Sequence, residues 1–208
     1  MPKIYSDKER TEIVERLKKE ANILMQEKGV KKTTVDELVK RAGIPKGTFY
    51  LFYPSKEMLL FDCAQEFHDQ VDEYIQNGMN RIISDLGIDP TKKGAFSKHI
   101  DEVVDVIMGA IQITRNSCLR VLLDPKAMDM VLSKLPKEVL EDHVKHDRQI
   151  GAGLFETVIE DKGLNVDEMV GAFTMVLFGG MYKEVIGEEN INGSTRFLIK
   201  GLVMQIFG

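Results

Sequence analysis

Lys46, Gly47, Thr48, Tyr50 and Leu51 stand in one short run of the chain. Together they offer an ammonium, a hydroxyl, a phenol, a branched apolar tip and a position with no side chain. A basic, aromatic and small-residue face of this kind is what the second helix of a helix-turn-helix exposes. The flanking residues say how the run is held. Thr34 followed by Glu37 predicts a capping box, in which each side chain bonds the other's backbone N–H and starts a helix. Val35, Leu38, Val39 and Ala42 give that helix an apolar stripe at the 3,4 spacing. Gly43 ends it. Pro45 pre-sets the first turn of a second short helix. Phe49 and Phe52 give this helix a buried face, which leaves Lys46, Gly47, Tyr50 and Leu51 on the other side. Pro54 stops it, and Ser55 caps a third helix with Glu57 in its first turn. Two short helices joined by a tight glycine-containing turn describe a helix-turn-helix.

Other residues with chemical capacity form no comparable set. His143, His146 and Asp147 have a helical metal spacing but lack a third ligand of fixed geometry. They sit in a charged run, Glu141 to Arg148, that reads as a solvated helix face. Cys118 lies between Arg115 and Arg120, which would favour a thiolate, but a single cysteine reads first as buried and inert. The two cysteines, Cys63 and Cys118, have no metal-type spacing. The chain has no Gly-rich phosphate loop, no Gly-x-Ser-x-Gly and no paired acid and base. We therefore expect no enzyme, no catalytic residue, no cofactor and no metal.

The chain has 208 residues, 43% of them apolar, and a net charge of −5. The charge is unevenly placed. Residues 1–60 carry 13 Lys and Arg against 9 Asp and Glu, a net +4, and the remaining 148 carry 15 against 24, a net −9. A basic end on an acidic body is expected if only the first module meets phosphate. No apolar run approaches the ~18 residues that span a bilayer, and the first residues lack an apolar signal segment, so a cytoplasmic location is expected.

Read in order, the chain is all-α, with about nine helices. Ser6 and Glu9 predict a capping box and a helix to about Lys28, with Ile13, Val14, Leu17, Ala21, Leu24 and Met25 inward. Lys28-Gly29-Val30 stops it. A helix from Ser55 to about Asn77 follows without a flexible linker. Gly78, Gly87, Pro90 and Gly94 mark residues 78–96 as a broken or looped connection. Phe96 to about Asn116 is a strongly apolar helix. Pro125 breaks 119–135 into one or two short helices. A long helix from Pro136 or Lys137 runs to about Lys162. Asn165 and Glu168 cap the next, to about Ile186, which is apolar nearly all round and must be buried on more than one side. Asn192-Gly193-Ser194 precedes the last helix.

The run Thr33-Thr34, Leu38-Val39, Ala42-Gly43-Ile44-Pro45-Lys46-Gly47-Thr48-Phe49-Tyr50-Leu51-Phe52-Tyr53-Pro54-Ser55-Lys56-Glu57-Met58-Leu59 resembles the head of the tetracycline-repressor (TetR) family of bacterial regulators. It covers about 30 residues, and the body resembles the family only in helix count and order. The resemblance implies a helix-turn-helix DNA-binding domain at 1–54, a ligand-binding and dimerisation domain at 55–208, and a homodimer bound to double-stranded operator DNA. Thr33 and Thr34 would hold phosphate at a helix N-terminus, as would Lys56 at the start of the following helix. Lys46, Gly47, Thr48, Tyr50 and Leu51 would sit in or beside the major groove. Pro45 and Phe52 depart from the family's frequent Ser and His or Tyr, so a cap hydroxyl and a phosphate donor are missing.

A dimer is also required physically, because one short helix reads only a few base pairs and two heads must meet successive major grooves. The resemblance places the interface on the last two helices, at Gly171, Phe178, Gly179, Met181, Leu198, Leu202 and Ile206. Inward residues of the middle helices are the candidate ligand-binding set: Met108, Ile111, Cys118, Leu122, His146, Gln149 and Ile150, with Asp105 as the odd polar member. These expectations describe a transcriptional repressor released from its operator by a largely apolar small molecule. The alternative is a DNA-binding structural or division-related factor without a ligand.

Overall fold

The computed structural model describes residues 5–143, 145, 162–180 and 182–208, and every regular element among them is a helix. These are α1 (Asp7–Lys32), α2 (Val35–Ala42), α3 (Lys46–Phe49), α4 (Lys56–Leu86), α5 (Ile100–Asn116), α6 (Leu119–Leu122), α7 (Pro125–Leu132), α8 (Val166–Gly179), α9 (Lys183–Ile186) and α10 (Ile191–Phe207). Residues 137–143 are helical as well, where a helix was expected to open. His146, Gln149, Ile150 and Met181, all singled out from the sequence, lie outside the described residues.

The helix starts follow the capping chemistry. Ser6 and Glu9 form the complete reciprocal box at α1. Thr34 accepts from the Glu37 N–H at 3.3 Å, but the Glu37 carboxylate is drawn away to Lys28 and Arg41, so only half of the predicted box exists. Ser55 accepts from the Met58 N–H and Asn165 from the Asp167 and Glu168 N–H groups. Asp124 and Pro125 open α7 and separate it from α6 as expected.

Four boundaries differ from the sequence reading. The helix after Ser55 does not break at Gly78 but continues to Leu86. Gly78 is there for packing: a Cβ on it would lie 2.7 Å from the Val106 Cγ1 of α5. Gly109 of α5 likewise makes room for the Tyr74 hydroxyl of α4. The two helices thus approach closely through complementary gaps, and an isolated glycine is tolerated mid-helix where tertiary packing outweighs propensity. The strongly apolar middle helix begins at Ile100 rather than Phe96, although Phe96 is buried. The helix from Asn165 ends at Gly179, with α9 as a separate turn, and Asn192-Gly193-Ser194 lies inside α10 rather than before it.

The chain divides into two compact units. The first comprises residues 1–68 and 115–137, so α6 and α7 pack with α1. The second comprises 69–114 and 138–208. Its core joins Met79, Ile82, Val103, Val104, Ile107 and Ile111 to Ile199, Val203, Ile206 and Phe207, with the Phe96 and Phe207 rings 5.1 Å apart. Compactness therefore cuts the chain elsewhere than after residue 54, where the sequence reading divides it. No described helix is long and apolar enough to cross a membrane.

Candidate nucleic-acid interface

The site is built on α2 and α3, and the first step is the turn that leads into them. Gly29 has φ +77° and ψ 171°, a region that essentially only glycine occupies. It breaks α1, and the Thr33 N–H and hydroxyl both bond back to its carbonyl, at 3.3 and 3.0 Å. Lys56 reaches the next carbonyl, Val30, at 2.8 Å. Thr33 is fully buried and the Lys56 side chain is 19% exposed. In this structure the polar groups of both satisfy backbone that the kink at Gly29 would otherwise leave unpaired. Thr34, the cap itself, remains at the open N-terminus of α2.

Gly43 closes α2 in the left-handed region at φ 66°, and Pro45 precedes α3. The α3 turn continues through hydrogen bonds from Leu51, Phe52 and Tyr53 to Thr48 and Phe49 carbonyls. Phe49 is fully buried and fixes the turn to the head. Its opposite side is open: Tyr50 is 52% and Leu51 56% exposed, and nothing lies within 4 Å of a Cβ built on Gly47. The Lys46 ammonium pairs with Asp36 of α2 at 2.7 Å, and this pairing raises it above the usual lysine range. Thr48 is buried, with its hydroxyl 3.0 Å from that of Tyr5. It therefore supports the face rather than belonging to it.

Tyr53 carries the turn into α4. It is buried, and its hydroxyl donates to Asp62 at 2.6 Å. Lys18 of α1 lies 3.1 Å from Asp62 and 3.3 Å from Glu66. Burial alone would pull Lys18 down, but the two carboxylates more than offset it and raise its ammonium above the ordinary range. Burial, then the Asp62 hydrogen bond, pushes the Tyr53 hydroxyl far up, so it stays a donor. The α3 turn is thereby tied to both long helices of the head.

Three contributors escaped the sequence reading: Tyr5 and Arg10 beside α3, and Asp36 on Lys46. No local pattern marks them, since Tyr5 reaches Thr48 across 43 positions of sequence.

The described ligand candidates fall in both units. Cys118 and Leu122 are buried in the first unit, whereas Ile111 is buried in the second and Met108 is packed against its core. The Asp105 side chain is 66% exposed and pairs with Arg196 of α10, which corrects its placement among cavity-lining residues. Burial pushes the Cys118 thiol up to about 12 and that of Cys63 higher still. Both are therefore expected to stay unmodified by iodoacetamide at pH 8 in the folded protein, and to react fully once urea unfolds it. Mass spectrometry reads the outcome, and native alkylation of Cys118 would restore the redox reading. Among the described residues no cluster has metal-holding composition.

On the candidate interface helices, Leu198 is 52% exposed. Gly171 and Gly179 have open space above them, and Phe178 and Leu202 are half-buried. Ile206 is only 3% exposed and belongs to the core of its own chain, which corrects its assignment to an interface. Phe197 at 81%, Met175 at 76% and Met204 at 53% are exposed instead.

Comparison with known proteins finds similarity in this part of the chain. The sequence profile of bacterial regulatory proteins of the tetR family matches residues 19–63. Two Bacillus subtilis proteins described as uncharacterised HTH-type transcriptional regulators are similar over the same part. YuxN is 39% identical over 54 residues, covering 26% of this chain and 19% of YuxN. YvdT is 38% identical over 65 residues, 31% of each chain. The chain thus spans no more than about a third of these relatives. The fold is similar across nearly the whole chain to FadR of Bacillus subtilis, a transcriptional regulator solved in complex with stearoyl-CoA. Its TM-score is 0.58 at 16% identity, over 95% of this chain and 99% of that one. FadR of Bacillus halodurans, a fatty acid degradation regulator, gives 0.51 at 14%, over 97% of each. Residues 19–63 thus match the tetR-family profile, and the whole chain shares an all-helical fold with two solved regulators.

Proposed function

We propose that the protein is a homodimeric repressor that holds operator DNA through α2 and α3 and is released by a largely apolar small molecule. The observation that carries the DNA-binding part is the open side of α3. Tyr50 and Leu51 are more than half exposed on a turn whose opposite side is pinned by a fully buried Phe49. A surface that keeps an aromatic and an apolar tip in water is built to meet something. In this reading Tyr50 donates to phosphate, Leu51 meets a thymine methyl, and Gly47 lets the backbone approach the groove. Lys46 exchanges Asp36 for DNA, and Thr34 offers phosphate its hydroxyl and the free N–H groups of α2. The head, 1–54, binds DNA, and the body, 55–208, dimerises and senses. No step calls for an enzyme, and the protein works where the DNA is, in the cytoplasm.

Ligand release follows from linkage. An effector that binds one head spacing better than another shifts the dimer toward it, and only a spacing that fits successive major grooves binds tightly. The fold likeness to a regulator solved with stearoyl-CoA supports long-chain acyl thioesters as the first effectors to test. The assay is operator-complex stability titrated with long-chain acyl-CoA, with free CoA and with the free fatty acid. The reading predicts loss of the complex with the acyl thioester and none with CoA alone. A complex indifferent to all three sinks this effector class. An operator complex that no metabolite extract weakens favours the ligand-free structural factor.

A further inference from the structure

We infer that Arg10 is an additional contact for a DNA backbone phosphate, held in place by the ring of Phe52. The inference rests on the DNA-binding reading above and adds to it a residue outside the helix-turn-helix. Arg10 lies in the second turn of α1 and is exposed. Its guanidinium stands 5.0 Å from the centroid of the Phe52 ring, just beyond Tyr50 and Leu51. Tyr5 completes the arrangement, with its ring 6.3 Å from that of Phe52 and its hydroxyl 3.0 Å from that of Thr48. The start of α1 is therefore fastened to the end of the α3 turn.

The way Arg10 is held separates it from the ion-paired cations of the head. Lys18, Lys28, Arg41 and Lys46 each pair with one or two carboxylates. Arg10 has no carboxylate partner among the described residues and is oriented by an aromatic face instead. The nearby Glu9 carboxylate is turned back onto the Ser6 N–H and hydroxyl, at 2.9 and 3.0 Å. A guanidinium held over a ring spends no N–H donor on a carboxylate, and its fork of donors matches phosphate. The ring lowers the entropy cost of ordering the long side chain without consuming a donor. Phe52 itself has no hydrogen-bonding group, so what it contributes at this place is the position of Arg10.

The test is a salt titration of binding to a duplex selected by the wild-type protein from random-sequence DNA, with wild type, Arg10→Ala, Arg10→Lys and Phe52→Leu compared. Neutralising a phosphate contributes about 0.9 to the slope of log K against log salt, so a dimer losing two contacts should have a slope shallower by about 1.8. Arg10→Ala should weaken selected and unrelated duplexes by a similar factor, about tenfold or more at low salt, because a backbone contact carries no sequence information. Arg10→Lys should keep most of the slope. Phe52→Leu should keep the slope and lose affinity. If Arg10→Ala retains both slope and affinity while the wild type binds with steep salt dependence, Arg10 is not a contact and the DNA-binding reading stands. If the wild type itself selects no duplex, both are overturned. Thermal melts of the variants, expected to match wild type because Arg10 is exposed, exclude a folding defect.

Discussion

The double substitution Phe197→Glu with Leu198→Glu is expected to turn the proposed dimer into a monomer and to weaken operator binding by about 100-fold or more. The argument begins with α10, whose apolar residues fall into two stripes. Thr195, Ile199, Val203, Ile206 and Phe207 are buried in their own chain. Phe197, Leu198 and Met204 are not, and Gly201 between them has open space around it. On α8, which packs with α10, Met175 is 76% exposed, and Gly171 and Gly179 are equally open. Burying a large apolar side chain is worth about 1.5–3 kcal/mol relative to leaving it in water, so this surface has several such increments to gain. The glycines let a second copy of the helix pair come close. Glutamates at 197 and 198 would place four carboxylates in that interface and leave the isolated chain untouched, since both positions already face water. Light scattering should then give the mass of one 23.6 kDa chain, with an unchanged circular dichroism spectrum. Operator affinity should fall because two tethered heads gain a factor of 10²–10⁴ over one. A variant that stays dimeric, or a monomer that binds as tightly as wild type, would move the interface elsewhere.

The second large effect is expected from Phe49→Ala, which should cost about 3–5 kcal/mol, the usual range for removing a fully buried phenylalanine ring. Phe49 has no exposed surface. Its ring meets Tyr50 edge-on at 5.3 Å and Tyr53 at 6.1 Å. Its carbonyl accepts from both Phe52 and Tyr53, so the ring anchors the backbone of the whole α3 turn. Only four residues are helical there, far too few to hold their shape alone. Losing the ring removes the support beneath Tyr50 and Leu51 as well as the packing. Urea unfolding should show the head's transition moved to lower denaturant, and operator binding should be lost. A cost under about 1 kcal/mol would mean that Tyr53, tied to Asp62 and through it to Lys18, positions the turn without Phe49.

Much of this was legible in the sequence because it is written locally. Ser6, Thr34, Ser55 and Asn165 announce helix starts through side chains that bond N–H groups two or three residues away. Pro125 and Gly43 announce breaks. The side of α3 that carries Lys46, Gly47, Tyr50 and Leu51 follows from the spacing of Phe49. What was not legible depends on distant partners. Gly78 reads as a breaker until Val106 is known to sit over it. Thr33 and Lys56 show nothing in the sequence of the carbonyls that the kink at Gly29 turns toward them. Asp105 reads as a polar residue facing inward until Arg196, 91 positions later, is seen to hold it at the surface. On α10 the periodicity gives apolar positions but not which of two apolar stripes is core, so spacing alone does not tell the buried Ile206 from the exposed Phe197. Arg10 gave no sign at all, because its partner ring lies 42 positions away and cation–ring contacts leave no spacing rule.

The most direct test of the central claim is selection of duplexes by the purified protein from random-sequence DNA, followed by mapping the enriched site. The account predicts an inverted repeat with half-site centres about one helical turn apart, or a multiple of it, and two protomers bound per site. Its α3 face predicts that Tyr50→Ala and Leu51→Ala together abolish the enrichment while the fold persists. Recovery of no enriched sequence, with binding no stronger than an acidic protein shows for any duplex, would contradict it.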